Sequence, residues 1–183
     1  MRSRLFTEFV CLVGLLALAQ DESKNGWILK FEDYAIQDED AFQGQPAKPH
    51  IVKKNHRAFR TAILDAAEKG PNFAGRYAIA QWGCGSGCLS MALVDEATGK
   101  VFSGPFETLT TPMVSGENAH EFQGLVFQLN SRLFIADGCQ EDKTCATYYY
   151  EWKNDKFEIV RMLPQLGPEP PSDSSDSSDS SEE

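Results

Sequence analysis

The sequence predicts an α+β domain: an antiparallel β-sheet of about six to seven strands arranged in hairpins, with one main α-helix packed on it. Three observations predict it. One stretch alone repeats its apolar residues at helical spacing. Most of the remainder alternates apolar and polar residues between turn signals. No strand–helix–strand alternation of the doubly wound, nucleotide-binding kind occurs. A small β-barrel or sandwich is the alternative arrangement of the same strands.

The helix is read from Phe59, Ala62, Ile63, Ala66 and Ala67, which fall on one face, with Arg57, Arg60, Asp65, Glu68 and Lys69 on the rest. Asn55 can cap it and Gly70-Pro71 stops it, giving about 14 residues. An earlier strand is expected over Trp27–Tyr34. Arg76–Trp82 and Cys88–Val94 flank a glycine-rich turn, and Asp95–Lys100 returns the chain into Val101–Gly104. Pro105–Glu121 is polar and loop-like. Leu125–Leu129 and Leu133–Asp137 flank the Asn130-Ser131 turn. Ala146–Trp152 turns at Asn154-Asp155 into Phe157–Val160.

The two ends differ from the middle. Met1–Ala19 carries Arg2 and Arg4, then an apolar run from Phe9 to Leu18, then the small–x–small pattern of Ala17-Leu18-Ala19. This is the pattern of a cleavable export signal, too short to span a bilayer as a helix. The expected protein is therefore secreted or periplasmic, without membrane insertion after cleavage. Residues 20–167 form the folded candidate. Residues 168–183 are a Pro-, Ser-, Asp- and Glu-rich tail with no large apolar side chain, expected to stay disordered. Of the chain's net charge of −10, the tail carries −6 and the leader +1, leaving −5 on the domain. That acidity disfavours nucleic acid and anionic membrane as partners.

Removing the leader also removes Cys11 and leaves Cys84, Cys88, Cys139 and Cys145. Four cysteines in an oxidising compartment read as disulfides; neither pair has the C-x2-C spacing of a zinc site, and no metal is expected. Three connectivities exist. The local pairs Cys84–Cys88 and Cys139–Cys145 are preferred. An extended run would hold Cys84 and Cys88 about 13 Å apart, and the intervening glycines let the chain fold back to disulfide distance. Bridges between the two pairs would contribute about 4 rather than about 2 kcal/mol by loop closure, so they remain open.

The segment Trp82-Gly83-Cys84-Gly85-Ser86-Gly87-Cys88 is the densest special feature. Ser86 lacks the G-x-S-x-G context of a nucleophile elbow, and the glycines lack the G-K-[ST] ending of a phosphate loop. No cofactor is expected. The leading expectation is a non-catalytic binding or inhibitor-like protein that contacts another secreted or envelope protein through Trp82, Gly85, Ser86 and Gly87. Tyr149 joins that set, because Tyr148 and Tyr150 face the core with Trp152 and leave it on the other face. The competing reading is a secreted hydrolase using His120 or carboxylates among Asp95, Glu107, Asp137 and Glu151. His50 and His56 are expected to be exposed. A structural envelope protein is the third possibility.

Asn72-Phe73-Ala74-Gly75-Arg76-Tyr77, followed by Trp82-Gly83-Cys84-Gly85 and Cys88 and by the Asp95–Val101 turn, resembles a family of small uncharacterised secreted bacterial proteins. The resemblance extends to Ser131–Phe134 and the Tyr150–Phe157 hairpin and implies no particular activity. In arrangement alone, strand–disulfide loop–strand is similar to the Ivy-type periplasmic lysozyme inhibitors. That resemblance implies an inhibitory or binding role for the loop. The Ivy-type loop has four residues between its cysteines, where this chain has Gly85-Ser86-Gly87.

Overall fold

The computed structural model describes residues 29–111, 123–141 and 145–165. The expected leader, Cys11, His120 and the acidic tail lie outside them. One compact unit begins at Phe31.

Two helical segments stand where one was expected. α1 (Lys54–Ala58) and α2 (Arg60–Glu68) are divided at Phe59, whose φ of −113° and ψ of 26° leave the helix. The ring of Phe59 stacks on Trp82 of the sheet with centroids 4.6 Å apart, so a tertiary contact accompanies the break. Asn55 does not cap: Lys53 is the N-cap, and Asn55 Oδ1 accepts from the His56 amide at 3.0 Å. α2 is the main helix. Ile63 and Ala67 bury its inner face against Ala78, Ala80, Ala92 and Val94.

The sheet has eight antiparallel strands: β1 (Tyr77–Gly85), β2 (Cys88–Asp95), β3 (Val101–Ser103), β4 (Leu109–Thr110), β5 (Gly124–Phe127), β6 (Leu133–Gln140), β7 (Cys145–Lys153) and β8 (Lys156–Pro164). Its order is β1-β2-β4-β6-β7-β8, with β3 beside β2 and β5 beside β6. Eight exceeds the expected six to seven because β4 is a two-residue strand inside a stretch read as loop. The strand expected over Trp27–Tyr34 is not formed in its described part. Phe31–Tyr34 is a 3-10 turn, and the Ser131 hydroxyl bonds the carbonyls of Phe31 and Tyr34.

Alternation along the strands assigns two faces. Even positions of β1 and β2 meet α2. Ile79, Met91 and Leu93, at odd positions, join Phe134, Ala136, Tyr148, Tyr150 and Trp152 in the main core. Tyr77 and Phe102 both set their rings edge-on to Trp152, at 5.3 and 5.1 Å. Since β2, β4 and β6 lie between β1 and β7 in strand order, the sheet must curl for those rings to meet. It stays open, with no pairing between β1 and β8 among the described residues. Within the core, Gln140 and the Tyr150 hydroxyl satisfy each other at 2.9 and 3.1 Å.

The Asn72-Phe73-Ala74-Gly75 stretch fixes the start of β1. Ala74 and Gly75 take positive φ, and their amides donate to the carbonyls of Ser131 and Leu129. The Asn72 side chain accepts from the Ile79 amide at 2.8 Å and donates to its carbonyl at 3.4 Å, occupying the outer edge of β1 at that residue.

Adjacent acids after β2 meet opposite environments. Asp95 accepts from both Nε and Nη2 of Arg76, from the Ala97 amide and from the Thr98 hydroxyl. Burial alone would raise its pKa, but these bonds outweigh it and hold the carboxyl below its ordinary value. Glu96 is 0 % exposed, and neither of its carboxylate oxygens has a hydrogen-bond partner among the described residues. Burial first, and the neighbouring Asp95 second, push its pKa up to about 7.

Candidate functional site

The β1–β2 hairpin is built to hold its tip in one shape. Register runs regularly from Tyr77↔Asp95 to Gly83↔Leu89, then shifts so that Gly85 faces Cys88 and Cys84 is the extra residue. Cys84 and Cys88 are disulfide-bonded, with Cα atoms 5.1 Å apart. Gly85 (φ 144°) and Gly87 (φ 66°) occupy conformations that side chains resist, and a Cβ on Gly87 would lie 3.0 Å from the Thr111 carbonyl. The Gly87 carbonyl accepts from the Thr111 amide at 2.7 Å and its hydroxyl at 3.3 Å. A covalent bond and two hydrogen bonds thus fix a loop whose residues 83–87 are all exposed.

The second disulfide lies in the same row. Cys139 and Cys145 pair directly across β6 and β7, with Cα atoms 4.0 Å apart. Thr110 of β4 sits between Cys88 and Cys139. Both bridges therefore close hairpins at one end of the sheet, next to each other across a single strand. Glu141, with a positive φ, follows Cys139 closely, and its Oε1 accepts from the Glu107 amide at 2.7 Å.

A cleft of about 530 Å³ opens beside the hairpin, lined by Trp82, Cys84 and Ser90 from the sheet, His56 and Phe59 from the helical side, and Glu107 and Glu141 at the rim. Trp82 is half-buried on Phe59, so one side of its ring is fixed by stacking. Compared with known proteins, the chain matches no family model, no curated protein and no solved structure.

His56 is the residue the sequence misplaces. It is 2 % exposed rather than solvent-facing, because its ring turns inward from α1 to Ser103 of β3, with Nε2 3.3 Å from the Ser103 hydroxyl oxygen. Lys53 donates to the same oxygen at 2.8 Å. Burial, and then the Lys53 charge, lower the His56 pKa and keep the ring neutral at pH 7.

A serine beside a neutral histidine invites a nucleophilic reading, and the hydrogen-bond inventory argues against it. For Nε2 to accept the serine proton, Nδ1 must carry a hydrogen. Nδ1 is buried without a partner among the described residues, so that tautomer strands an N–H donor. With Nε2 protonated, Ser103 accepts from both His56 and Lys53 and ties α1 to β3. The described residues also contain no group of three or more His, Cys, Asp or Glu arranged to hold a metal ion.

The carboxylates considered for hydrolysis are dispersed. Asp95 belongs to its turn, Glu151 pairs with Arg132 at 3.3 Å, and Asp137 accepts from Thr147 at 2.8 Å and from the Gln123 amide at 3.0 Å. Glu107 alone of the four lines the cleft. Of the expected contact residues, Trp82, Gly85, Ser86 and Gly87 are brought together. Tyr149 does lie on the face opposite Tyr148 and Tyr150, yet it is 4 % exposed and pairs with Ile135 and Arg161 in the sheet, apart from the hairpin. The sequence missed Phe59, Thr111 and Glu141 at this site; only the helical spacing of Phe59 gave any sign, and it pointed to the core.

Proposed function

We propose that this chain is an exported protein that binds another secreted or envelope protein through the hairpin Trp82–Cys88 and the cleft beside it. The observation that carries the reading is the exposed hairpin tip held rigid by the Cys84–Cys88 bond and by Thr111. Ordering a loop on binding consumes affinity, and a loop already fixed avoids that cost. Half-buried Trp82 adds an aromatic anchor of the kind that dominates interface energetics. The leader pattern and the two disulfides support an oxidising destination.

The test compares the wild-type chain with a Trp82→Ala, Ser86→Arg double variant as immobilised bait for secreted and envelope fractions, with captured proteins quantified by mass spectrometry. A partner enriched by the wild type should fall by roughly tenfold or more with the variant, the scale of losing an anchor residue. Equal enrichment by both baits would remove the hairpin as the contact.

A further inference from the structure

The outer edge of β1 is closed for part of its length and then open. Hydrogen bonds alternate along an antiparallel strand, one residue pointing its N–H and C=O to one neighbour and the next to the other. The amides of Tyr77 and Ile79 donate away from β2, to the Phe73 carbonyl and the Asn72 side chain. The Asp95 amide, opposite Tyr77, likewise turns away from β1, to Lys100. Register is unbroken as far as Gly83, so Gln81 and Gly83 also point their N–H and C=O outward. Both residues are exposed, and no backbone or side-chain group meets these edges among the described residues.

The opposite edge of the sheet looks different. β8 carries an extra residue, Val160, at a register shift, together with Lys156 and Pro164, the devices that blunt an edge against pairing. β1 has its own extra residue only past this stretch, at Cys84, and carries neither lysine nor proline at Gln81–Gly83. Glycine at 83 leaves no side chain to hold off an approaching backbone.

We propose that the partner docks as an extended peptide segment that adds a strand to β1 at Gln81–Gly83, beside the hairpin tip. This deepens the hairpin reading and rests on it. Main-chain hydrogen bonds supply the affinity, as in other strand-addition complexes, and the adjacent loop and Trp82 supply selectivity. A second copy of this chain is a poor occupant, because two domains of net charge −5, each followed by a tail of −6, would meet edge to edge. The fitting segment is extended and not acidic.

The probe is a display library of random peptides of about seven residues, selected on the full chain. The enriched peptide is then synthesised unmodified and N-methylated at alternate backbone positions in each of the two registers. Gln81→Pro removes an outward N–H while leaving the bonds to β2, which proline tolerates on an edge. Gln81→Ala tests the side chain alone. Gln81→Pro and one N-methylated register should each weaken binding by roughly tenfold or more, as expected when backbone hydrogen bonds are lost, with Gln81→Ala near wild type. Failure to enrich any peptide, or undiminished binding by Gln81→Pro and by both methylated peptides, overturns strand addition. Should Gln81→Pro unfold the chain, the methylated peptides on the wild type decide alone. If Trp82→Ala with Ser86→Arg abolishes peptide binding while methylation does not matter, the hairpin reading survives and strand addition falls. The reverse pattern removes the hairpin and leaves the edge.

Discussion

Phe134→Ala is expected to lower the free energy of unfolding by about 4 kcal/mol. Phe134 is 0 % exposed and lies among four rings: Phe73 at 6.0 Å, Phe127 at 6.1 Å, Tyr150 at 6.3 Å and Phe157 at 5.1 Å between centroids. Truncation removes the transfer free energy of the ring and leaves a cavity. The four surrounding rings come from β5, β7, β8 and the Phe73 segment, so no single element can collapse into it. Domains of this size have only about 5–15 kcal/mol to lose. Urea unfolding followed by tryptophan fluorescence should show a lower midpoint with an unchanged slope. A loss below about 1 kcal/mol would contradict a core centred on Phe134.

Glu96→Gln is expected to stabilise the protein at pH 8 and to flatten its stability between pH 4.5 and 7. The folded-state pKa of Glu96 is raised to about 7 from an ordinary 4.5, so across that window the folded chain holds a proton that the unfolded chain releases. Stability therefore falls as pH rises through the window and levels off above it. The full difference corresponds to roughly 3 kcal/mol. Asp95 acts with the opposite sign: its lowered pKa contributes stability that is present above its ordinary 3.8 and lost as pH falls further. Neighbouring residues thus bound an optimum on the acid side of neutrality. Denaturant titrations of wild type and variant at several pH values check this. A wild-type stability that rises from pH 5 to pH 8, or a variant with the same profile, would contradict it.

Much of the fold was legible because it follows from local period and turn chemistry. Ile63 and Ala67 do face the sheet, Tyr148, Tyr150 and Trp152 do share the core face, and Asn154 and Asp155 both take the positive φ that a tight hairpin demands. The rest depends on contacts between distant segments. Phe59 leaves the helix beside its stacking partner Trp82, which no local pattern records. β4 is two residues long, too short to show a period, and it alone places Thr110 between the two disulfides. His56 is buried by a turn toward Ser103, forty-seven residues away in sequence. The hairpin is legible in its glycines and cysteines, whereas the open edge of β1 depends on which way each amide points once the strands pair.

The most direct test of the hairpin as the contact surface is photo-crosslinking in the producing cells, with a photoreactive amino acid placed at Ser86 or, as a control, at exposed Glu68 on α2. A discrete adduct from position 86 and none from position 68 is the predicted result. Adducts from position 68 without any from position 86, or equal adducts from both, would contradict it.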